Sequence, residues 1–142
     1  MRVALCLIIF AAPAAAWEFT PTPVCTLSHE TAEASLSVTY DPRLATPYAI
    51  SISQLKTWPG DPVFSIRFDG PLGLTISTDR QSVSESGRTL TVTDSGFGNV
   101  LNGLEFNITA TALLGDTAIS FPLHGAAPAV QAFRACTTVP TA

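Results

Sequence analysis

The residues with chemistry to offer are two histidines, a scatter of carboxylates and three cysteines. His29 and Glu30 open the string His29-Glu30-x-x-Glu33. A zinc protease needs two histidines one helical turn apart with a glutamate between them as base. Here Glu33 occupies the second histidine's place, so the string reads as a solvated polar loop and no metal site is expected. His124 precedes Gly125 and could in principle activate a serine, but no Gly-x-Ser-x-Gly elbow presents one. Its expected role is a hydrogen bond near the start of a helix. Carboxylates for sugar hydrolysis could be drawn from Asp61, Asp69 and Glu85, yet all three sit in turn-type segments where acids are ordinary. Gly96-Phe97-Gly98 could aim backbone N–H groups at an anion. The spacing is wrong for a dinucleotide fingerprint, and the glycines read as a tight strand-to-helix turn. No catalytic residue and no cofactor is therefore expected.

The cysteines depend on where the chain goes. Residues 1–16, MRVALCLIIFAAPAAA, carry a positive charge at Arg2, an apolar run and small residues Ala14 and Ala16 before Trp17. That is the pattern of a secretory signal peptide cleaved after Ala16, and its apolar run is too short to span a bilayer comfortably. Cys6 would leave with it. Cys25 and Cys136 then remain, and in an oxidising compartment they are expected to pair, since nothing like Cys-x-x-Cys is present and two thiolates do not complete a zinc site. The alternative is a pair of reactive thiols or metal ligands.

The expected mature chain, residues 17–142, has a length that suits one domain. Without Arg2 it carries six Lys and Arg against eleven Asp and Glu, a net charge of −5. No basic patch interleaved with aromatics is visible, so a nucleic-acid partner is not expected. A single lysine, Lys56, beside abundant Ala, Thr and Pro suggests a GC-rich bacterial coding sequence and makes the periplasm, or secretion, the expected destination.

The elements that must position these residues are mostly short strands. Residues 17–24 contain two prolines and are expected to run extended along an edge. Leu36, Val38 and Tyr40 alternate with Ser35, Ser37 and Thr39, the period-2 pattern of a half-buried strand. The same pattern recurs over 48–54, 63–68, 74–78, 89–93, 105–112 and 117–123, with turn residues between. Segment 80–88 reads as a hairpin whose tip is Glu85-Ser86-Gly87. Phe97, Val100, Leu101 and Leu104 change the period to that of a helix, with Asp94 or Ser95 as N-cap candidate. A second helix over 126–134, with Pro128 in its first turn, would turn Cys136 inward. The tail 137–142 is expected to be loose. Asn107-Ile108-Thr109 matches a glycosylation acceptor but falls inside an expected strand. Trp17 and Trp58, each near prolines in loops, are the candidates for a contact surface, with core or rim packing as the alternative.

The resulting expectation is a mainly β, antiparallel β-sandwich of about seven strands with two short helices plugging its ends. From Leu74 onward the order of a strand, a hairpin, the helix FGNVLNGLEF and the ending ISFPLHGAAPAVQAF resembles the small exported proteins grouped as invasion-associated locus B-like. That resemblance implies an exported β-sandwich of undefined biochemistry linked to the cell envelope. Relatives of that kind often carry a cysteine pair just before the middle helix, where this chain has Thr91, Thr93 and Asp94. The chain also looks like short sequences that travel under the name of an excinuclease component, a DNA-repair ATPase. The residues argue against that activity, because no phosphate-cradling Gly-x-x-x-x-Gly-Lys loop exists and the chain is acidic. The functional expectation is a non-enzymatic exported module that binds another envelope protein or component. The alternative is a small exported hydrolase or hydrolase inhibitor, with its contact at residues 57–60 or the Glu85-Ser86-Gly87 tip.

Overall fold

The structure, a computed structural model, describes residues 16–138. The expected signal peptide, apart from Ala16, and the last four residues of the tail lie outside the described residues. The chain runs β1 (Glu18–Thr20), β2 (Cys25–Glu30), β3 (Ala34–Tyr40), β4 (Tyr48–Gln54), β5 (Phe64–Asp69), β6 (Leu74–Thr78), β7 (Ser82–Val83) and β8 (Thr89–Asp94). It continues with α1 (Gly98–Phe106), β9 (Thr109–Leu114), β10 (Thr117–Pro122) and α2 (Ala126–Thr137). Two antiparallel sheets face each other, one of six strands in the order β1-β2-β3-β4-β8-β7 and one of four in the order β10-β9-β5-β6. The mainly β sandwich expected from the alternation is therefore present, with ten strands instead of seven.

Register puts the alternating apolar residues in line. Across the larger sheet Leu27, Val38, Ile50 and Val92 lie opposite one another, as do Leu36, Ile52 and Leu90. On the smaller sheet Ile66 lies between Ala112 and Ile76. The outer face of the larger sheet carries hydroxyls instead, with Ser28, Ser37, Ser51 and Thr91 in one row. Two pairs of them share hydrogen bonds, Ser51 with Thr91 at 3.1 Å and Ser53 with Thr89 at 2.8 Å. One apolar face and one polar face per sheet is what antiparallel pairing under water favours.

Three of the ten strands were not expected. β2 alternates as cleanly as its neighbours, Cys25, Leu27 and His29 buried and Thr26 and Ser28 half-buried, but its polar residues and its histidine hide the pattern. β1 confirms an extended edge, pairing Phe19 with Leu27. β7 is two residues of the expected hairpin. The expected strand over 105–112 is a correction: α1 continues through Phe106 and β9 begins only at Thr109. Phe106 and Ile108, which such a strand would place on one face with Ala110, are exposed while Ala110 is buried.

The reason α1 runs on lies in its packing. Gly103 sits against the ring of Phe68, where any Cβ would collide with it, so the helix approaches the smaller sheet closely. Just past the helix, the side chain of the buried Asn107 donates to the Gly103 and Leu72 carbonyls, each at 3.0 Å, and accepts from the Leu72 N–H at 3.0 Å. Asn107 is a clamp between α1 and the β5–β6 turn, which is why the asparagine of the acceptor motif is buried. Helix α2 is fixed to α1 by Arg134, which donates to Glu105 at 2.9 Å and to Asn102 at 2.7 Å. An aromatic cluster joins both helices to the larger sheet, Tyr48 lying 5.6 Å from Phe97 and 6.4 Å from Phe133. The expected cap at Asp94 or Ser95 is also corrected: Phe97 holds the N-cap position and supplies no side-chain hydrogen bond.

Cys25 at the start of β2 and Cys136 in the last turn of α2 form a disulfide with Cα atoms 6.1 Å apart and a sequence separation of 111. Helix α2 extends three residues beyond the expected end, so Thr137 is helical and not loose. A bond across so long a loop restricts the unfolded chain strongly. The double variant C25S/C136S is expected to lose about 2–5 kcal/mol of unfolding free energy, read as a lower urea midpoint; an unchanged midpoint would refute that role. Gly103→Ala is expected to destabilise by about 1–3 kcal/mol, although alanine favours helix by about 1 kcal/mol. Thermal unfolding measures it, and a raised melting temperature would mean that the Phe68 contact is not tight.

Candidate functional site

None of the expected chemical groups converge. His29 is not in a polar loop: it lies on the inner face of β2, 5 % exposed, stacked on Trp17 with ring centroids 4.7 Å apart and planes within 10°. Glu33 follows β2 in the turn to β3, so the string never forms the helix a zinc protease requires. Among the described residues no group of three His, Cys, Asp or Glu side chains is arranged to hold a metal ion. His124 stands exposed in the turn before α2, and its ring makes none of the described hydrogen bonds. The first turn of α2 is held instead by the Ala126 N–H donating to the Leu123 carbonyl at 3.0 Å. Asp61 and Asp69 lie at opposite ends of β5, a strand that alone spans roughly 17 Å, and Glu85 is in the β7–β8 hairpin.

Trp17 and Trp58 are both buried, so of the two readings it is the packing one and not the contact surface that the structure has. The Trp17 indole N–H donates to the Pro122 carbonyl at 2.8 Å, so this side chain joins the edge of the larger sheet to β10. The Trp58 N–H points between the Arg88 and Ile52 carbonyls, at 3.0 and 3.3 Å, while its ring meets Phe64 edge-on at 6.4 Å. Indoles near prolines look exposed in a sequence. Each nevertheless has one polar atom to satisfy, and a backbone carbonyl near a strand end satisfies it while the ring enters the core.

What the fold does leave open is a cleft between the sheets. It is bounded by Ile50 and Val92 of the larger sheet, Phe64, Ile66 and Ile76 of the smaller, and the start of α1 from Phe97 to Val100, and encloses about 450 Å³. That lies within the range of small-molecule sites, roughly 300–1,000 Å³. Ile76 and Val92 point into the sandwich yet remain only half-buried. They pack against the core on one side and border the cleft on the other.

The mouth of the cleft is polar. Arg80, Asp94, Thr78 and Asn99 border it. The Arg80 guanidinium approaches Asp94 at 3.5 Å, with 69 % and 40 % of the two side chains exposed, a geometry that contributes little to stability. Asp94 also accepts from the Ser95 N–H at 2.7 Å. At Gly96 and Gly98 an added Cβ would meet nothing within 4 Å.

The inward residues of the cleft are legible in the strand pattern, but Arg80 is not. A lone arginine in a polar hairpin carries no signal until the strand opposite is known. No family model matches this chain, and no curated protein and no solved structure matches it significantly.

Proposed function

We propose that this chain is an exported binding module, not an enzyme, and that its ligand site is the cleft between β4–β8 and β5–β6. One observation carries the reading: Ile76 and Val92 are turned inward and left half-buried over an open volume of about 450 Å³. Apolar surface left wet in a cleft is a standing source of binding free energy, about 25 cal/mol per Å² covered. The wall is aliphatic and aromatic, so it holds a molecule by displacing water and offers no group to transform one. The mouth supplies the few polar contacts that orient a ligand in sites of this kind.

Export is supported by the disulfide, which is compatible with an oxidising compartment. Among the described residues no helix is long and apolar enough to cross a membrane. A periplasmic or secreted protein that handles an envelope component is in keeping with both, and with the likeness to the invasion-associated locus B-like proteins. The alternative of a loop-borne inhibitor loses its anchor at 57–60, because Trp58 is buried.

The test uses Nile red, a neutral apolar dye whose fluorescence rises out of water. The native protein is expected to bind it, and Val92→Trp, which fills the cleft from the β8 side, is expected to weaken binding about tenfold or more. Gly98→Leu is the second blocking variant, since its side chain enters open space at the first turn of α1 and leaves the core untouched. Dye binding that both folded variants retain would overturn the assignment.

A further inference from the structure

The cleft's two zones differ in chemistry, and the difference selects a ligand. Resting on the cleft reading above, we propose that the occupant is a single-chain anionic amphiphile, a fatty carboxylate, with its chain between the sheets and its head at Arg80.

The apolar zone is lined by Ile50, Phe64, Ile66, Ile76, Val92 and Phe97. None of these side chains can donate or accept a hydrogen bond, so whatever lies among them must be hydrocarbon; a polar group there would be desolvated and left unpaired. A volume of about 450 Å³ suits one chain rather than two.

At the mouth the guanidinium is the less engaged of the two charged groups. Asp94 accepts from the Ser95 N–H at 2.7 Å and from its hydroxyl at 3.4 Å with one oxygen, and meets Arg80 with the other at 3.5 Å. The Thr78 hydroxyl accepts from the Arg80 backbone N–H at 3.1 Å. The guanidinium, by contrast, has five N–H donors, and its only described side-chain bond is that long one to Asp94. It is largely exposed and can swing from Asp94 to an incoming head. α1 begins without a side-chain cap, which leaves its first N–H groups oriented in the same sense. A head that brings acceptors can use the unengaged donors of this guanidinium. A planar carboxylate can take two parallel bonds from the guanidinium fork, the strongest form of this contact.

The experiment compares dodecanoate, dodecanol and dodecyltrimethylammonium, each below its micelle concentration, as competitors of Nile red and by calorimetry. Dodecanoate is expected to bind about tenfold or more tightly than dodecanol, with the ammonium weakest. Arg80→Gln should erase the advantage of dodecanoate, leave dodecanol unchanged and keep the melting temperature, because Arg80 is exposed. Rising salt should weaken dodecanoate alone. Equal affinities, a preference for the ammonium, or a dodecanoate preference that survives Arg80→Gln would each overturn the proposal. Nile red excluded by Val92→Trp while the three heads bind alike would sink the head assignment and leave the cleft reading standing. Dye and dodecanoate both indifferent to Val92→Trp and Gly98→Leu would remove both.

Discussion

Six strands face four. A sheet of four strands cannot cover the inner side of a sheet of six, so part of the larger sheet's apolar face must find another cover or stay in contact with water. The rest of the structure follows from how that mismatch is met. On the β1–β2 side it is met by α2, which packs on both strands and buries Val130 and Phe133 completely. The Cys25–Cys136 bond ties that helix to the strand it covers, and Trp17 reaches across the same edge to the Pro122 carbonyl. On the β8 side only the start of α1 reaches in, and the gap it leaves is the cleft.

The two tryptophans and the disulfide therefore share one task. Each links elements far apart in sequence at a place where the sheets diverge: Trp17 to Pro122, Trp58 to Arg88, Cys25 to Cys136. The buried His29 belongs with them, because its ring provides the flat surface on which Trp17 stacks. Its Nδ1 has no hydrogen-bond partner among the described residues, so the stacking, and not a polar contact, is what this histidine contributes. A histidine that looks like half of a metal motif is a piece of edge packing.

Most strands are legible because alternation is a local property, as Leu36, Val38 and Tyr40 or Phe64, Ile66 and Phe68 illustrate. β2 obeys the same rule but presents Cys25, Leu27 and His29, of which only Leu27 is plainly apolar. Residues 105–108 mislead for a different reason: Phe106 and Ile108 continue the alternation of β9, while Phe97 to Leu104 continue the period of a helix. Both patterns are complete locally. The choice between them is made by contacts no local window contains, Gly103 against Phe68 and Asn107 against Leu72. The cleft is illegible on the same grounds. Ile76 and Ile66 look alike in sequence, and only the pairing order puts Ile66 in the middle of the smaller sheet and Ile76 at its edge.

Stability alone does not explain the shape of that edge. The other side of the sandwich is filled by large side chains from α2, and the same solution was open here, since a side chain at Gly96 or Gly98 would enter unoccupied space. The chain instead places glycine at both positions and an exposed ion pair of 3.5 Å beside them, an interaction worth about 0–1 kcal/mol at such exposure. The glycines leave the corner open and the exposed pair holds it only weakly, so the proposed ligand would supply the cover there that α2 supplies on the other side.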